Sequence, residues 1–356
     1  MATTNFGLNS PETVKLWSRK LFREALKRTW MSKFMGTGSD SVVQIAEDTS
    51  KGPGDRVRVT LRMLLSGAGI SGDGTLEGNE EALTTYTDNL VIDQLRHAVR
   101  SGGKMSEQRI PFSVREEARM GLTDWWADRI DTWLFNQLGG VSVQSDTRYT
   151  GLNAATEPSS NNIQIWDNTT HTTEASVGSA SASCAIQLSH IDILVETAKT
   201  NSPQIRPVKV NGGDYYVMFL HPQQVTQLRT DATAARVTWY DTQKAAMQGG
   251  QVSDNPIFTG ALGCYNGVVL HESTRVPFGG SAATDVNTRR AIFCGAQSAV
   301  VGFGRGYGKS RMSWVEELFD YKNQLGVSAG LIGGAKKVTY NSQDFGSIVY
   351  VSGVTN

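Results

Sequence analysis

The stretch PFSVREEARMGLTDWWADRIDTWLFNQLGG at 111–140 limits the possible folds more than any other part of the chain. Pro111 interrupts whatever precedes it. Ser113 and Glu116 have capping-box spacing, the hydroxyl serving a first-turn amide and the carboxylate reaching back. Ala118, Leu122, Trp126, Ile130, Trp133, Leu134 and Leu138 then recur at helical spacing. Gly139 and Gly140 supply a left-handed stop. The spacing predicts a helix of about 25 residues, roughly 38 Å at 1.5 Å per residue. Trp125 and Trp126 widen its apolar surface beyond one stripe, so it must be gripped from several sides. Trp126, Ile130 and Trp133 are the expected core contacts. A helix of this length needs a large body around it, and 356 residues supply one domain with excursions, or two.

Hydrophobic residues at 39% with 19% charged suffice for a buried core. The formal net charge is zero, which disfavours wholesale DNA binding. Cys184, Cys264 and Cys294 are odd in number, far apart and outside CxxC spacing, so neither a disulfide framework nor a zinc site is expected. They suit a reducing compartment. No apolar run approaches the ~18 residues of a membrane span. The N-terminus lacks a signal peptide's apolar core. The chain is therefore expected to be made and used, or assembled, in a cytoplasm.

The neutral total hides an uneven distribution. Between residues 10 and 35 seven basic residues face two acidic ones, a surplus of five. Ser10-Pro11-Glu12 opens a helix there, and Val14, Trp17, Leu21, Ala25 and Leu26 mark its apolar face. A transit peptide is disfavoured by Glu12 and Glu24 and by the serine-poor composition. A membrane-surface helix is a second reading. The preferred one is an arm that docks Trp17 and Leu21 on a neighbouring subunit and offers its basic face to an acidic partner.

Residues 55–63, DRVRVTLRM, alternate strictly, which predicts a half-exposed strand with Arg56, Arg58 and Arg62 outward. The glycine-rich 66–79 must turn, and Leu90, Ile92 and Leu95 continue a second strand toward Arg100. Residues 51–110 thus read as a long ribbon with a loose tip. An isolated ribbon is marginal in water, so a neighbouring copy is its natural bed. Arg56, Arg58 and Arg62, with Glu77, Glu80 and Glu81 at the tip, are the candidate inter-subunit contacts. Fifteen of the 45 residues at 141–185 are Ser or Thr, which predicts a surface insertion. From residue 186 the pattern is α/β, with a helix over Ser189–Thr200, a buried strand at Tyr215–Leu220, and short strands at Gly267–Leu270 and Ala291–Cys294.

Catalytic constellations are not found. Gly308-Lys309-Ser310 resembles the end of a phosphate loop, but the leading glycine is replaced by Phe303, and Gly102-Gly103-Lys104 is followed by Met105. None of the five histidines forms HExxH or lies at zinc spacing from a cysteine. His190 beside Asp192 reads as helix capping, and no GxSxG is present. Asp124, Asp128 and Asp131 share a helix face and read as a solvated face or as partners of arginines such as Arg129 or Arg56–Arg62 rather than as a metal site. Glu77, Glu80 and Glu81 sit on a loop tip, where catalytic geometry is hard to hold. No catalytic, cofactor or metal site is expected, and the chain does not read as an enzyme.

Several dispersed blocks carry a resemblance. They are LEGNEEAL at 76–83, Asp93-Gln94, Arg100 through Met105, FLHP at 219–222, NPIFTGALGCYNGVVLHES at 255–273, RAIFCGAQSAV at 290–300, EELFDYKNQLGV at 316–327 and GGAKK at 333–337. In this order they resemble the major capsid proteins of tailed bacteriophages with the Hong Kong 97-like fold, and in particular the family related to the coliphage N-four coat protein. The resemblance implies an α+β fold with an N-terminal arm at 1–50 and an extended loop (E-loop) at 51–110. A P-domain with the long spine helix and the surface insertion follows at 111–185, an A-domain at 186–313, and a C-terminal return into the P-domain at 314–356. It implies hexamers and pentamers closing an icosahedral shell, without cofactor, around double-stranded DNA held by weak non-specific contact. Portal and scaffolding proteins are implied partners, decoration proteins a further option, and a membrane is not. The implied location is the virion, assembled in the bacterial host cytoplasm. The lysine-free tip at 66–80 argues against lysine–asparagine cross-linking. The rival readings are an encapsulin-like nanocompartment shell, a nucleotide-binding enzyme using the loop at 302–310, and a binding module carried by 141–185.

Overall fold

The computed structural model describes residues 24–25, 29–46, 56–62, 65, 67–210, 212–230, 263–279, 285–304 and 312–354. Its longest helix is Val114–Leu138, of 25 residues, where the spacing places it. Ser113 holds the cap position, but its hydroxyl makes no capping bond. The Glu116 and Glu117 amides donate to the Ser113 carbonyl instead, each at 3.1 Å. The expected capping box is therefore not formed, and water can serve the exposed first turn. At the other end Gly140 has φ +63°, and a Cβ there would stand 2.7 Å from Pro158 and 2.9 Å from the Thr156 carbonyl. Only glycine fits both the backbone and the space. Trp126, Ile130 and Trp133 are 0%, 2% and 4% exposed.

The helix lies between two sheets. The first has six strands, and Gln324–Lys337 is its axis. Gly333 pairs with Phe303 on one edge and Asp93 on the other. Leu331 likewise pairs with Met312 and with Leu95. Strands Ala299–Phe303 and Met312–Phe319 thus run end to end along one edge, and Asp93–Arg100 lines the other. Val43–Ala46 extends the sheet by pairing in parallel with Ala299–Gly302, and Met35–Gly36 adds to it. Met312, Trp314, Ala329 and Leu331 join Trp126, Ile130 and Leu134 of the helix in one core.

The second sheet has eight strands, with Ser347–Gly353 between Ile163–Ile165 and Asp285–Cys294, followed by Gly213–Leu220, Val268–Glu272 and Gly263–Tyr265. Side chains alternate across it with period two. Met218, Leu220, Ala291 and Phe293 meet the helices Leu188–Thr200 and Pro222–Thr230. Val217, Phe219, Ile292 and Cys294 point to the long helix. Apolar cover on both faces explains why Tyr215–Leu220 reads as a continuous apolar run.

Three expectations are corrected. Residues 141–185 are not a surface insertion. Ile163–Ile165 is a sheet strand, and Val177 and Cys184 form a core cluster with Val349 and Val351. The Ser/Thr content serves local capping, as where Thr173 and Ser176 form a capping box on helix Glu174–Ser179. The C-terminal return divides. Met312–Lys337 stays beside the long helix, but Ser347–Gly353 is buried in the second sheet. The arm and ribbon boundaries also shift, because 35–36, 43–46 and 93–100 are strands of the first sheet.

Candidate assembly interface

Strands Arg56–Arg62 and Thr85–Val91 pair antiparallel from Arg56↔Val91 to Arg62↔Thr85. Arg56 and Arg58 are exposed, as the alternation requires. Val57, Val59 and Leu61 pack inward on the cluster of Leu90, Val300 and Val338, as does Phe345. Asp88 accepts from the Lys336 ammonium, and from the Thr339 amide at 3.1 Å. Asn153 bonds both backbone groups of Val91, at 2.9 and 2.6 Å. The ribbon root therefore rests on its own chain, which corrects the expectation of a neighbour as its only bed. That bed comes from residues 300 and 336–345, far away in sequence.

The loop beyond the root is different. Every residue from 67 to 84 is exposed, including Leu76 at 61% and Leu83 at 59%. Yet the loop is shaped from within. The Glu81 carboxylate accepts from the Gly67 amide at 2.7 Å, and Glu80 from the Gly78 amide at 2.8 Å. Asn79 donates from its amide to the Leu76 carbonyl and from its side chain to the Thr75 carbonyl, both at 3.0 Å. Glu80 and Glu81 thus hold turns of their own loop, while Glu77 is exposed.

Residues 24–25 and 29–34 dock on the chain's own long helix. Arg119 donates to both Glu24 oxygens at 3.0 and 2.8 Å. The Trp30 and Met31 amides donate to buried Asp131 at 2.9 and 3.0 Å. Burial pushes the Asp131 carboxyl up, and those two amides with Arg275 pull it back. Trp17 and Leu21 lie outside the described residues, as does the side chain of Arg62. The aspartate row does pair with an arginine, but with Arg275 rather than Arg129 or Arg56–Arg62: Arg275 reaches Asp128 at 2.7 Å and Asp131 at 3.5 Å. Arg129 instead lies between the rings of Trp125 and Tyr149, at 4.8 and 4.1 Å.

His190 caps its helix as read, its Nδ1 accepting from the Gln187 amide at 3.2 Å and lying 2.7 Å from the Tyr350 hydroxyl. Strand Ala299–Phe303 is followed, among the described residues, by another strand rather than the helix a phosphate loop opens. Gly308-Lys309-Ser310 lies outside the described residues. Among the described residues no group of three or more His, Cys, Asp or Glu side chains is placed to hold a metal, and no helix is long and apolar enough to cross a membrane. Burial pushes the Cys294 thiol up to about 12, which makes it unreactive. A groove of about 460 Å³ beside Phe34, Val42, Val217 and His271 brings together no nucleophile, base and oxyanion donors.

The sequence profile of the family described as phage capsid protein matches residues 5–354. The major capsid protein of Pseudomonas phage KPP25 is 32% identical, over 98% of this chain and 97% of that protein. The capsid of Ralstonia phage GP4 matches over 100% of this chain and 99% of that one, with a TM-score of 0.78 at 31% identity. The cyanophage Pam1 capsid covers 99% of each chain with a TM-score of 0.73, and at 21% identity it speaks to the fold alone. The long helix between two sheets, the ribbon with its bare loop and these full-length matches lead to one assignment: the chain belongs to the phage capsid protein family, as a major capsid protein with the Hong Kong 97-like α+β fold.

Proposed function

We propose that copies of this protein assemble as hexamers and pentamers into an icosahedral shell around the double-stranded DNA of a tailed phage, each lending its 67–84 loop to a neighbour. The observation that carries this reading is the loop itself. It is fully exposed, internally bonded, and bears Leu76 and Leu83 with no cover. Ordering a chain segment costs ~1–2 kcal/mol per residue, and those side chains repay it only against another surface, at roughly 25 cal/mol per Å². A neutral body suits DNA that must be enclosed without being gripped, since phosphate affinity scales with cationic contacts. The shell role needs no catalysis. It does call for a portal, scaffolding and, as an option, decoration proteins, with assembly in the host cytoplasm. The encapsulin-like alternative would build a similar shell around enzymes, and nucleic acid inside purified particles separates the two. Negative-stain imaging of the purified protein is the direct test. Closed shells are expected, and a monomer at every concentration would overturn the reading.

A further inference from the structure

The ribbon is oppositely charged along its length. On strand Arg56–Arg62 the register sets Arg58 beside Asn89 and Thr60 beside Thr87, with Arg56 and Arg62 at positions of the same parity. Arg56, Arg58, Thr60, Thr85, Thr87 and Asn89 are all exposed. Asp88, the one carboxylate of the two strands, has the opposite parity and serves Lys336 and Thr339. The outer face therefore carries arginines and no acid. The loop at 67–84 is the reverse, with Asp73, Glu77, Glu80 and Glu81 and neither lysine nor arginine.

Within one copy, among the described residues, Arg56 and Arg58 pair with none of the loop's carboxylates. Glu80 and Glu81 are turned to their own loop amides, and the whole loop stands in solvent. Two other exposed arginines lie on strand Asp93–Arg100 of the first sheet. The Arg100 guanidinium lies over the Phe319 ring at 4.4 Å, and the Arg96 stem lies against Gly330. We propose that the outer face of the ribbon root, at Arg56 and Arg58, is the docking surface for the acidic 67–84 loop of a second copy. This rests on the shell reading and adds to it which surface receives the loop, and by what chemistry. Two complementary patches at different places on one chain make a heterologous contact, which repeats from copy to copy and closes where the rotation closes. Exposed charges give such a contact speed and register, and salt weakens it.

The test is a charge exchange in the full-length protein. Asp73→Lys with Glu77→Lys reverses the loop while sparing Glu80 and Glu81, which hold its shape. Arg56→Glu with Arg58→Glu reverses the face. Each pair should slow assembly by about tenfold or more at low salt, the lower end of what electrostatic steering supplies, and the four changes together should restore it. A combined variant no faster than either pair would overturn the proposal, and so would either pair assembling like the parent. Both results leave the shell reading intact, because that reading falls only if the parent protein forms no shells. Normal shells with less DNA in the arginine variant would assign the face to nucleic acid and also overturn the proposal. Should reversal impair folding, Arg56→Gln with Arg58→Gln and Asp73→Asn with Glu77→Gln give a milder cycle. If the groups meet, neutralising both sides slows assembly no more than neutralising one, and additive losses count against it.

Discussion

His221 shows how one side chain couples pH to stability. It stands between strand Gly213–Leu220 and helix Pro222–Thr230, and its Nδ1 accepts from the Gln223 amide at 3.3 Å. Burial, with the positive charge of Arg289, pushes its imidazole down to about 4 from 6.5. Between those values the unfolded chain binds the extra proton, so the stability His221 contributes above about 6.5 is lost as pH falls toward about 4. The melting midpoint should fall across that window. In His221→Asn, whose carbonyl can keep the cap without titrating, the fall should be shallower, and an equal slope in parent and variant would refute the assignment. Lys337 and Asp344 pose a different problem. The ammonium donates to the carboxylate at 2.8 Å and to the Thr156 carbonyl at 3.2 Å, and both side chains are buried. Burial pushes the amine down and the carboxyl up, while each partner pulls the other back. Asp344→Ala leaves a buried cation alone and should cost about 3–5 kcal/mol in denaturant unfolding, whereas Lys337→Met with Asp344→Leu should cost far less. Equal losses in the two variants would show that the ion pair itself stabilises.

At the scale of elements, the long helix and the 67–84 loop behave as opposites. The helix is gripped by both sheets, and Trp133 also donates from Nε1 to the Arg148 carbonyl at 3.2 Å. Trp133→Ala should therefore cost about 3–5 kcal/mol and lower the melting temperature of particles. Particles of unchanged melting temperature would mean that the side chain is not packed as described. Among the described residues, the loop's bonds are those of its own turns. Its amides should exchange hydrogen rapidly in dilute monomer and slow on assembly, because protection follows burial and stable bonding. Slow exchange across 67–84 in the monomer would remove the need for a neighbour.

At the scale of the molecule, Arg290 ties separate parts into one body. Its guanidinium is 2% exposed and lies on the second sheet. It donates to the Gly139 and Gly140 carbonyls at the end of the long helix, at 3.1 and 2.7 Å. It also meets Glu174 at 2.8 Å and Glu157 at 2.9 Å, both in the 141–185 segment. A cation at a helix C-terminus is favoured by the helix dipole. Arg290→Met removes that link and takes the guanidinium away from the buried Gly139 and Gly140 carbonyls and from Glu174, at about 3–5 kcal/mol. Calorimetry should show a lower transition that splits in two, as the second sheet uncouples from the long helix. A single transition at the parental temperature would refute this role.

The sequence by itself determined whatever depends on neighbours along the chain. The 3.6-residue period of 114–138 and the two-residue period of 56–62 need no knowledge of distant residues, and both elements lie where those periods put them. The dispersed blocks likewise sufficed for the family. Only the tertiary structure decided which strands pair. Residues 43–46 lie beside 299–302, 93–100 beside 326–333, and 163–165 beside 349–351. Nothing local encodes such choices, because any apolar strand edge offers the same backbone groups and register is set by the face that becomes buried. The same reason explains Arg275 in place of Arg129 at the aspartate row, and the bed of Val300 and Val338 under the ribbon. It also explains why a segment as polar as 141–185 contributes to a core: Val177 and Cys184 are few, but Val349 and Val351 bring the rest of the apolar surface from the far end of the chain.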